Sequence, residues 1–335
     1  MRAFKRICGL LVGSVLFLAG IFKLMDPVGA GLQMGEYFKF FHLNFLLGIS
    51  NSAAWMAAFF EAVLGAAVIT EVWKKTIRWV CIGTLSFFTI LTFVLWIKKA
   101  EMECGCFGEV LHLTHDQSLI KNLILLALTA AAYFLPGAEA EFRKVRYVSF
   151  ALTVASALVF SIVCQYTLPP VDYTPFAPGD ELVADGESQL SFYDLEGVYR
   201  DSLALNGGVV LVSVYDPESM GEKDEEELLA FLDKVELAGM RPLLLVSGDP
   251  ELLPEDTYIA DHRTLMSLNR SNGGATYVDD GQIVRKWSSL NLPDTCDLMA
   301  LTETDPTETI IETDSSGRMK LQGFLLYAFA VMLLL

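Results

Sequence analysis

Five long apolar runs fill the first half of the chain, and they constrain its fold more than any other feature. Each approaches the roughly 20 residues that a helix needs to cross a bilayer, and charged or polar residues bound each one. Of the 335 residues, 53% are hydrophobic, and the second half reads as soluble. We therefore predict an α-helical integral membrane bundle followed by a soluble domain. The predicted spans are residues 7–25, 52–72, 77–97, 119–136 and 147–167.

Three apolar stretches are less certain as spans. The segment 26–50 is aromatic, but Lys39 and His42 interrupt it, so we interpret it as an interfacial or loop segment. The first run could instead be a cleaved signal peptide, but Lys23 and the lack of a clear small-residue cleavage site favour its retention. A last run, 321–335, is marginal in length and is a possible sixth helix.

Basic residues are divided unevenly between the two sides that these spans define. Nine lie before the first span, between the second and third, and between the fourth and fifth, whereas four lie in the opposite connections. Because basic loops remain in the cytoplasm, we predict a multi-pass protein of the bacterial inner membrane, with its soluble domain on the periplasmic side. The nine are Arg2, Lys5, Arg6, Lys74, Lys75, Arg78, Arg143, Lys144 and Arg146, and the four are Lys39, Lys98, Lys99 and Lys121.

The soluble half is strongly acidic. Residues 1–169 carry 14 Lys/Arg and 10 Asp/Glu, a net charge of +4, whereas residues 170–320 carry 10 and 31, a net charge of −21. Such a domain repels polyanions. This charge excludes nucleic acid as a partner and leaves the lipid bilayer and other proteins.

Two cysteines flank one glycine in the loop between the third and fourth spans, in the stretch AEMECGCFGEVLHL. Cysteines at this spacing lie within reach of a disulfide, and Gly105 allows the backbone to turn. A strained, exposed disulfide acts as an oxidant and not as a stabilising cross-link. A periplasmic loop also lies in an oxidising compartment, where a disulfide can persist. Cys104 and Cys106 are therefore our candidate catalytic residues for thiol–disulfide exchange.

The same loop permits other interpretations. The thiols could be free or palmitoylated, the disulfide could be structural, or two thiolates could bind a metal with His112 and His115; we predict no metal, because two thiolates fill half a tetrahedral site. Cys164, near the outer end of span five, is a candidate resolving thiol or a packed apolar residue. The remaining cysteines are Cys8 and Cys81, near cytoplasmic helix ends, and Cys296, which has no evident partner.

One carboxylate falls in the middle of a predicted span. Glu61 must be protonated, paired or turned toward a polar cavity, and we expect it to face spans one and three. It would hold or relay a proton, or else make a structural hydrogen bond between helices. Lys23 lies near the outer end of span one, where its stem can extend to the interface.

These residues resemble those of the MauE/DoxX-like membrane proteins. The resemblance rests on AGIFKLMDP (19–27), Glu61, ECGCFG (103–108) and the KN (121–122) that opens the next predicted helix, and it covers about residues 5–140. It implies a four-helix membrane core and a role in disulfide formation or maturation of exported proteins, as in the maturation of methylamine dehydrogenase. Cys104 and Cys106 match the cysteine pair of the family.

The soluble part resembles the thioredoxin-like fold of membrane-tethered reductases. We predict a strand (207–216), an amphipathic helix ended by Gly239 (222–239), a second strand (241–248) and a hairpin with a DDG turn (273–287). YDPESM (215–220) stands where the active-site C-x-x-C belongs, and Ala275 stands near the place of the cis-proline. The domain is thus a degenerate, non-redox module that docks a partner.

Together these features divide the chain into six segments and lead to a first hypothesis of function. A labile Cys104–Cys106 disulfide would oxidise an exported protein substrate with thiols, and a quinone in the bilayer is the possible electron sink; no cofactor is evident. The alternatives are a non-catalytic scaffold or assembly factor and, with less support, a transporter-like subunit that uses Glu61 and Lys23. The segments are the four-helix domain (1–140), the fifth helix (141–168), a Pro-rich linker (169–180), the degenerate domain (181–300), a polar tether (301–320) and the possible sixth helix (321–335).

Overall fold

The computed structural model describes residues 2–102, 104–135, 144–184, 187–248 and 257–334. These form two compact units, here called the membrane unit (Met1–Gln165 and Gln322–Leu335) and the sheet unit (Tyr166–Leu321). Glu103, Arg143 and the first residues of the predicted fifth-helix segment (141–168) lie outside the described residues.

Six helices of the described chain are long and apolar enough to cross a membrane. Five of them coincide with the predicted spans, with ends that move by a few residues. The helices of this part are α1 (Arg2–Met25), α2 (Pro27–Phe40), α3 (Ser50–Thr70), α4 (Lys74–Lys98), α5 (His115–Phe134), α6 (Lys144–Tyr166) and α10 (Pro306–Leu334); a short strand, β1 (Cys106–Glu109), lies between α4 and α5.

The segment predicted as interfacial or loop is largely helical. Asp26 caps α2 by accepting a hydrogen bond from the Gly29 amide at 2.9 Å, and Pro27 takes the first helical position. A 3₁₀ turn, Asn44–Ile49, then leads directly into α3. With 14 residues, α2 is too short to span a bilayer.

Glycines bring α1 and α3 into close contact. A Cβ at Gly20 would collide with the backbone of Ala62, and one at Gly65 would collide with that of Phe17. Small residues at such positions let transmembrane helices approach closely. This packing fixes the relative position of the side chains that follow Gly20 on α1 and precede Gly65 on α3.

A charge cluster links three segments at the end of the membrane unit where α1 begins and α3 ends. The Glu71 carboxylate lies 3.5 Å from Arg6, 3.4 Å from Lys74 and 2.5 Å from Arg146. Burial opposes its ionisation, yet these three cations lower the pKa of Glu71 below its usual value. The start of α1, the α3–α4 turn and the start of α6 therefore share one end of the membrane unit.

The segment predicted as a polar tether is mostly helix. The short helix α9 (Thr295–Glu303) ends within it, and α10 then runs unbroken for 29 residues. Asp305 accepts a hydrogen bond from the Thr307 amide at 2.8 Å, and Pro306 opens the helix. The sixth apolar helix is therefore longer than the predicted 321–335, because polar residues form its first turns, and Phe324 stacks on Phe160 in the membrane unit.

The sheet unit is an α/β region built on a six-stranded mixed sheet. Its strands have the order β4-β7-β6-β5-β8-β9, in which β5, β6 and β7 are parallel and the other pairings are antiparallel. The strands and helices are β2 (Val183–Ala184), β3 (Glu187–Ser188), β4 (Phe192–Tyr193), β5 (Gly208–Val214), α7 (Glu222–Leu237), β6 (Arg241–Val246), β7 (Thr257–Ala260), α8 (His262–Leu268), β8 (Gly274–Asp279) and β9 (Gln282–Trp287).

The predicted strand–helix–strand and hairpin of this unit are confirmed. Val209 and Leu211 of β5 enter one hydrophobic core and Val210 and Val212 enter the other, so both faces of the sheet are covered. In the hairpin turn, Asp280 has φ 46° and Gly281 has φ 83°, as a two-residue turn of positive φ requires.

The predicted linker 169–180 packs against the sheet instead of hanging free. Phe176 is buried in one core, and the Gly179 amide donates to the Ile283 carbonyl at 2.7 Å. Asp172 forms a 2.6 Å ion pair with Lys286, whose side chain is 6% exposed. An apolar anchor and a paired charge thus make this proline-rich segment part of the sheet unit.

Candidate functional site

The loop that carries Cys104, Gly105 and Cys106, here called the CGC loop, lies against α1 and α2, and two glycines allow this close approach. Gly105 has φ 56° and Gly108 has φ 61°, conformations that residues with a Cβ rarely adopt. A Cβ at Gly105 would also collide with the Gln33 side chain of α2, and one at Gly108 would touch Lys23 of α1. The turn therefore requires glycine at 105 for both backbone geometry and space.

The two cysteines face each other across this turn as free thiols. Their Sγ atoms lie 3.1 Å apart, Cys104 Sγ lies 3.9 Å from Thr92 Oγ1, and Cys106 Sγ lies 3.7 Å from Ser118 Oγ. The Tyr37 hydroxyl donates to the Cys104 carbonyl. The prediction that the loop exposes both cysteines is wrong, because Cys104 is 4% exposed under α2 and Cys106 is half-buried.

The surroundings make the two thiols unequal. A hydrogen bond from Cys104, followed by the charges of Lys121 and Lys23, lowers the pKa of Cys106 to about 5, although burial opposes this. The same hydrogen bond and burial raise the pKa of Cys104 well above its usual value. In the reduced pair Cys106 is therefore the thiolate and Cys104 the proton-bearing thiol, a distinction that the sequence did not offer.

Glu61 and Lys23 form an ion pair inside the membrane unit. The Lys23 ammonium donates to both Glu61 carboxylate oxygens, at 2.8 and 2.7 Å, and also lies 5.9 Å from the Phe88 ring centroid. Glu61 is 3% exposed. The prediction that Lys23 extends toward the membrane surface is wrong, because its head group turns inward to neutralise a buried carboxylate.

A cavity of about 320 Å³ connects the ion pair to the cysteines. Lys23 and Glu61 line it together with Cys104, Gly105 and Cys106, so the structure brings together the five residues that the sequence singled out here. Its remaining walls are mostly apolar and come from α1, α2, α3, α4 and α5.

Further polar residues line the cavity and were not predicted to do so, and three of them matter most here. Tyr37 comes from α2, and Lys121 and Asn122 come from α5. Asn122 is buried and donates to Thr92 Oγ1 at 3.2 Å. The KN pair does not open its helix as predicted, since a capping box at Thr114 begins α5 at His115. Because α5 begins at His115, before the KN pair, both side chains lie inside the bundle and not at its end.

The other predicted thiol lies apart from this site. Cys164 is buried on α6, and it is not among the described contacts of Cys104 and Cys106 or among the lining residues of the cavity. Cys8 and Cys81 are buried elsewhere in the membrane unit, and Cys296 is exposed in the sheet unit. Within the described ranges, no group of three or more His, Cys, Asp or Glu side chains could hold a metal ion.

In the sheet unit, the position after β5 is occupied by a hydrogen-bonded turn. Asn272 Oδ1 accepts from the Tyr215 and Asp216 amides at 2.9 and 3.0 Å, and a 3₁₀ turn, Pro217–Ser219, follows. His262 Nδ1 lies 2.7 Å from the Tyr215 carbonyl, and Asp261 caps α8 through the Arg263 and Thr264 amides. These groups hold the backbone in place and form no nucleophile–base pair.

Comparison with known protein families gives one match. Residues 1–136 match the family described as Methylamine utilisation protein MauE. Searches of curated proteins and of solved structures found no match. The matched region ends just after α5, so it contains both cysteines, the ion pair and the cavity.

Proposed function

Because its first 136 residues are those of a MauE-like membrane protein, we propose that this chain carries out thiol–disulfide exchange with an exported protein through Cys104 and Cys106. The observation that carries the proposal is the pair itself, with sulfurs 3.1 Å apart and one thiol held as a thiolate. The family description favours maturation of methylamine dehydrogenase as the process, and a substrate protein with reduced thiols as the partner.

In the exchange, a thiolate of the partner attacks Cys106, the more accessible sulfur of the Cys104–Cys106 disulfide. The intramolecular S–S bond breaks, Cys104 leaves and takes a proton, and a mixed disulfide forms. A second partner thiolate then attacks the partner's own sulfur and releases Cys106 as a thiolate. The partner loses two electrons and the pair gains them. Low basicity of the leaving thiolate speeds this last step.

Turnover requires a two-electron acceptor that restores the disulfide. A quinone dissolved in the bilayer meets this need, because it takes up two electrons and two protons and is present where the membrane unit lies. Thioredoxin-type chemistry in the sheet unit could not replace it, since the position after β5 has no cysteine.

The exchange belongs on the periplasmic side of a bacterial inner membrane. The Glu71 cluster supports this orientation, because Arg6, Lys74 and Arg146 gather at one end of the membrane unit, and basic ends remain in the cytoplasm. The CGC loop follows α4 at the opposite end from the α3–α4 turn, where an oxidising environment keeps a disulfide formed.

The sheet unit would act as a docking module with a thioredoxin-like fold. The support for that fold is the order β6-β5-β8-β9, in which a parallel strand–helix–strand and an antiparallel hairpin share one sheet. Without redox cysteines at the end of β5, the unit can bind a partner protein without exchanging electrons with it.

Trapping experiments in cells test the exchange. In Cys104→Ser, the Cys106 thiolate can attack the disulfide of an oxidised partner, which is the reverse of this exchange, and no Cys104 thiol is present to displace that partner again. Mixed disulfides should therefore accumulate on non-reducing gels. They should be fewer in Cys106→Ser and absent from the double variant. Cys296→Ser, which removes an exposed thiol of the sheet unit, is the control and should match the wild type.

A scaffold role is the second candidate, and the burial of Cys104 favours it, since a buried thiol can serve packing alone. A scaffold predicts that the Cys104→Ser/Cys106→Ser double variant still matures the partner. Loss of maturation in the double variant, with normal protein levels, would exclude it.

A further inference from the structure

We infer that the cavity beside Cys104 and Cys106 is the binding site for the head group of an isoprenoid quinone, which oxidises the reduced pair; this inference rests on the proposed exchange. The cavity joins an apolar wall, a buried ion pair and a two-electron donor in one space within the membrane unit. Its volume of about 320 Å³ is within the usual range for small-molecule sites, roughly 300–1,000 Å³.

The walls of the cavity select for an apolar, membrane-soluble ligand. Phe87, Phe88 and Leu91 of α4 line one side. Phe87 is also 60% exposed on the outside of the described bundle, and Phe41 is 39% exposed, which in a bilayer means contact with lipid. A ligand with an isoprenoid tail can therefore enter from the membrane and leave its tail among lipid chains.

Polar groups of the cavity suit the two oxygens of a quinone ring. Lys23 and Lys121 each carry three N–H donors, and Glu61 accepts hydrogen bonds from only two of those of Lys23. A buried charge pair such as Lys23–Glu61 is costly in a membrane and is usually tied to function. A lipid acyl chain would need none of these donors, whereas quinone carbonyls accept hydrogen bonds.

The redox step balances with groups present at the site. The Cys104 thiol and Cys106 thiolate form an S–S bond, and two electrons and the Cys104 proton pass to the quinone. One more proton is needed to complete the quinol. Lys23 supplies this second proton. Proton exchange with Glu61 and with water from the periplasmic side then restores the Lys23–Glu61 ion pair. Cys106 lines the same cavity as Lys23, so all transfers occur within one cavity.

The test uses purified full-length protein in phosphatidylcholine nanodiscs, reduced and kept free of oxygen, with ubiquinone-1 as the probe. Oxidation of Cys104 and Cys106 is followed by differential alkylation and mass spectrometry. Ala57→Phe fills the cavity from α3. We expect it to slow ubiquinone-1-dependent oxidation by about tenfold, equivalent to about 1.4 kcal/mol in the barrier. Its control, Ala127→Phe, places the same ring on an exposed site of α5 and should oxidise at the wild-type rate.

Equal rates in Ala57→Phe and Ala127→Phe would overturn the inference. To separate it from the proposed exchange, the oxidised wild type is also mixed with a dithiol peptide without quinone. Exchange with the peptide but no oxidation by ubiquinone-1 would reject the quinone site alone, and no exchange would reject the proposed function. Photolabelling of the wild type with an azido-ubiquinone should mark peptides of α2 and α4; labelling spread evenly over the six long helices would contradict the site without relying on any variant.

Discussion

At the scale of single residues, the inequality of the two thiols is the feature with the most direct chemical consequence. With a pKa of about 5, Cys106 is a thiolate at neutral pH. Alkylation by iodoacetamide requires the thiolate, which is present above the pKa and lost below it. In the reduced protein, the alkylation rate of Cys106 should therefore be flat above about pH 6 and fall about tenfold per pH unit below the pKa.

Peptide mass spectrometry after timed alkylation gives this rate for Cys106 separately from the other cysteines. A free cysteine in the same tubes is the control, and its rate should still be rising at about pH 8.5, which is its usual pKa. A Cys106 rate that also keeps rising to that pH would show that the Cys104 hydrogen bond and the charges of Lys121 and Lys23 do not stabilise the thiolate.

A second residue-scale prediction concerns Asp172 and Lys286 in the sheet unit. Asp172→Asn leaves the Lys286 ammonium buried without its 2.6 Å partner, which should lower the free energy of unfolding by about 3 kcal/mol. Replacing both, as Asp172→Asn with Lys286→Met, should recover most of the loss because no unpaired charge remains. Urea titration of the full chain, read by protease resistance of the sheet unit, measures both; a double variant as unstable as the single one would be contrary to this account.

At the scale of helices and strands, the close packing of α1 on α3 positions the ion pair. Gly20→Leu would push side-chain atoms into the Ala62 backbone, and overpacking of this kind costs about 1–3 kcal/mol. We expect a lower unfolding temperature in detergent, together with slower disulfide exchange, since Lys23 would shift away from Glu61 and Cys106. Gly9→Leu lies on the same helix where an added Cβ meets no atom within 4 Å, and it should behave as the wild type. Equal stability of the two variants would rule out this role for the helix contact.

At the scale of the whole molecule, sequence patterns predicted the elements better than the site. Apolar runs and strand–turn–strand patterns are local signals, so five spans and the hairpin at Asp280 could be found. The first turns of α10 were predicted as a tether, because Thr, Glu, Asp and Ser dominate them and leave no long apolar run. Tyr37 and Lys121 could not be placed at the cavity, since they come from α2 and α5 and lie near the cysteines only through packing. Lys23 was misplaced for the same reason: its partner lies 38 residues away.

The redox state of Cys104 and Cys106 in living cells tests the central proposal most directly. Free thiols are blocked with N-ethylmaleimide in intact cells, disulfides are then reduced and labelled with iodoacetamide, and the peptide that contains both cysteines is quantified. We predict that most of this peptide carries two iodoacetamide labels, and that the doubly labelled share falls when the membrane quinone pool is depleted. A peptide that carries two N-ethylmaleimide groups under both conditions would contradict the account.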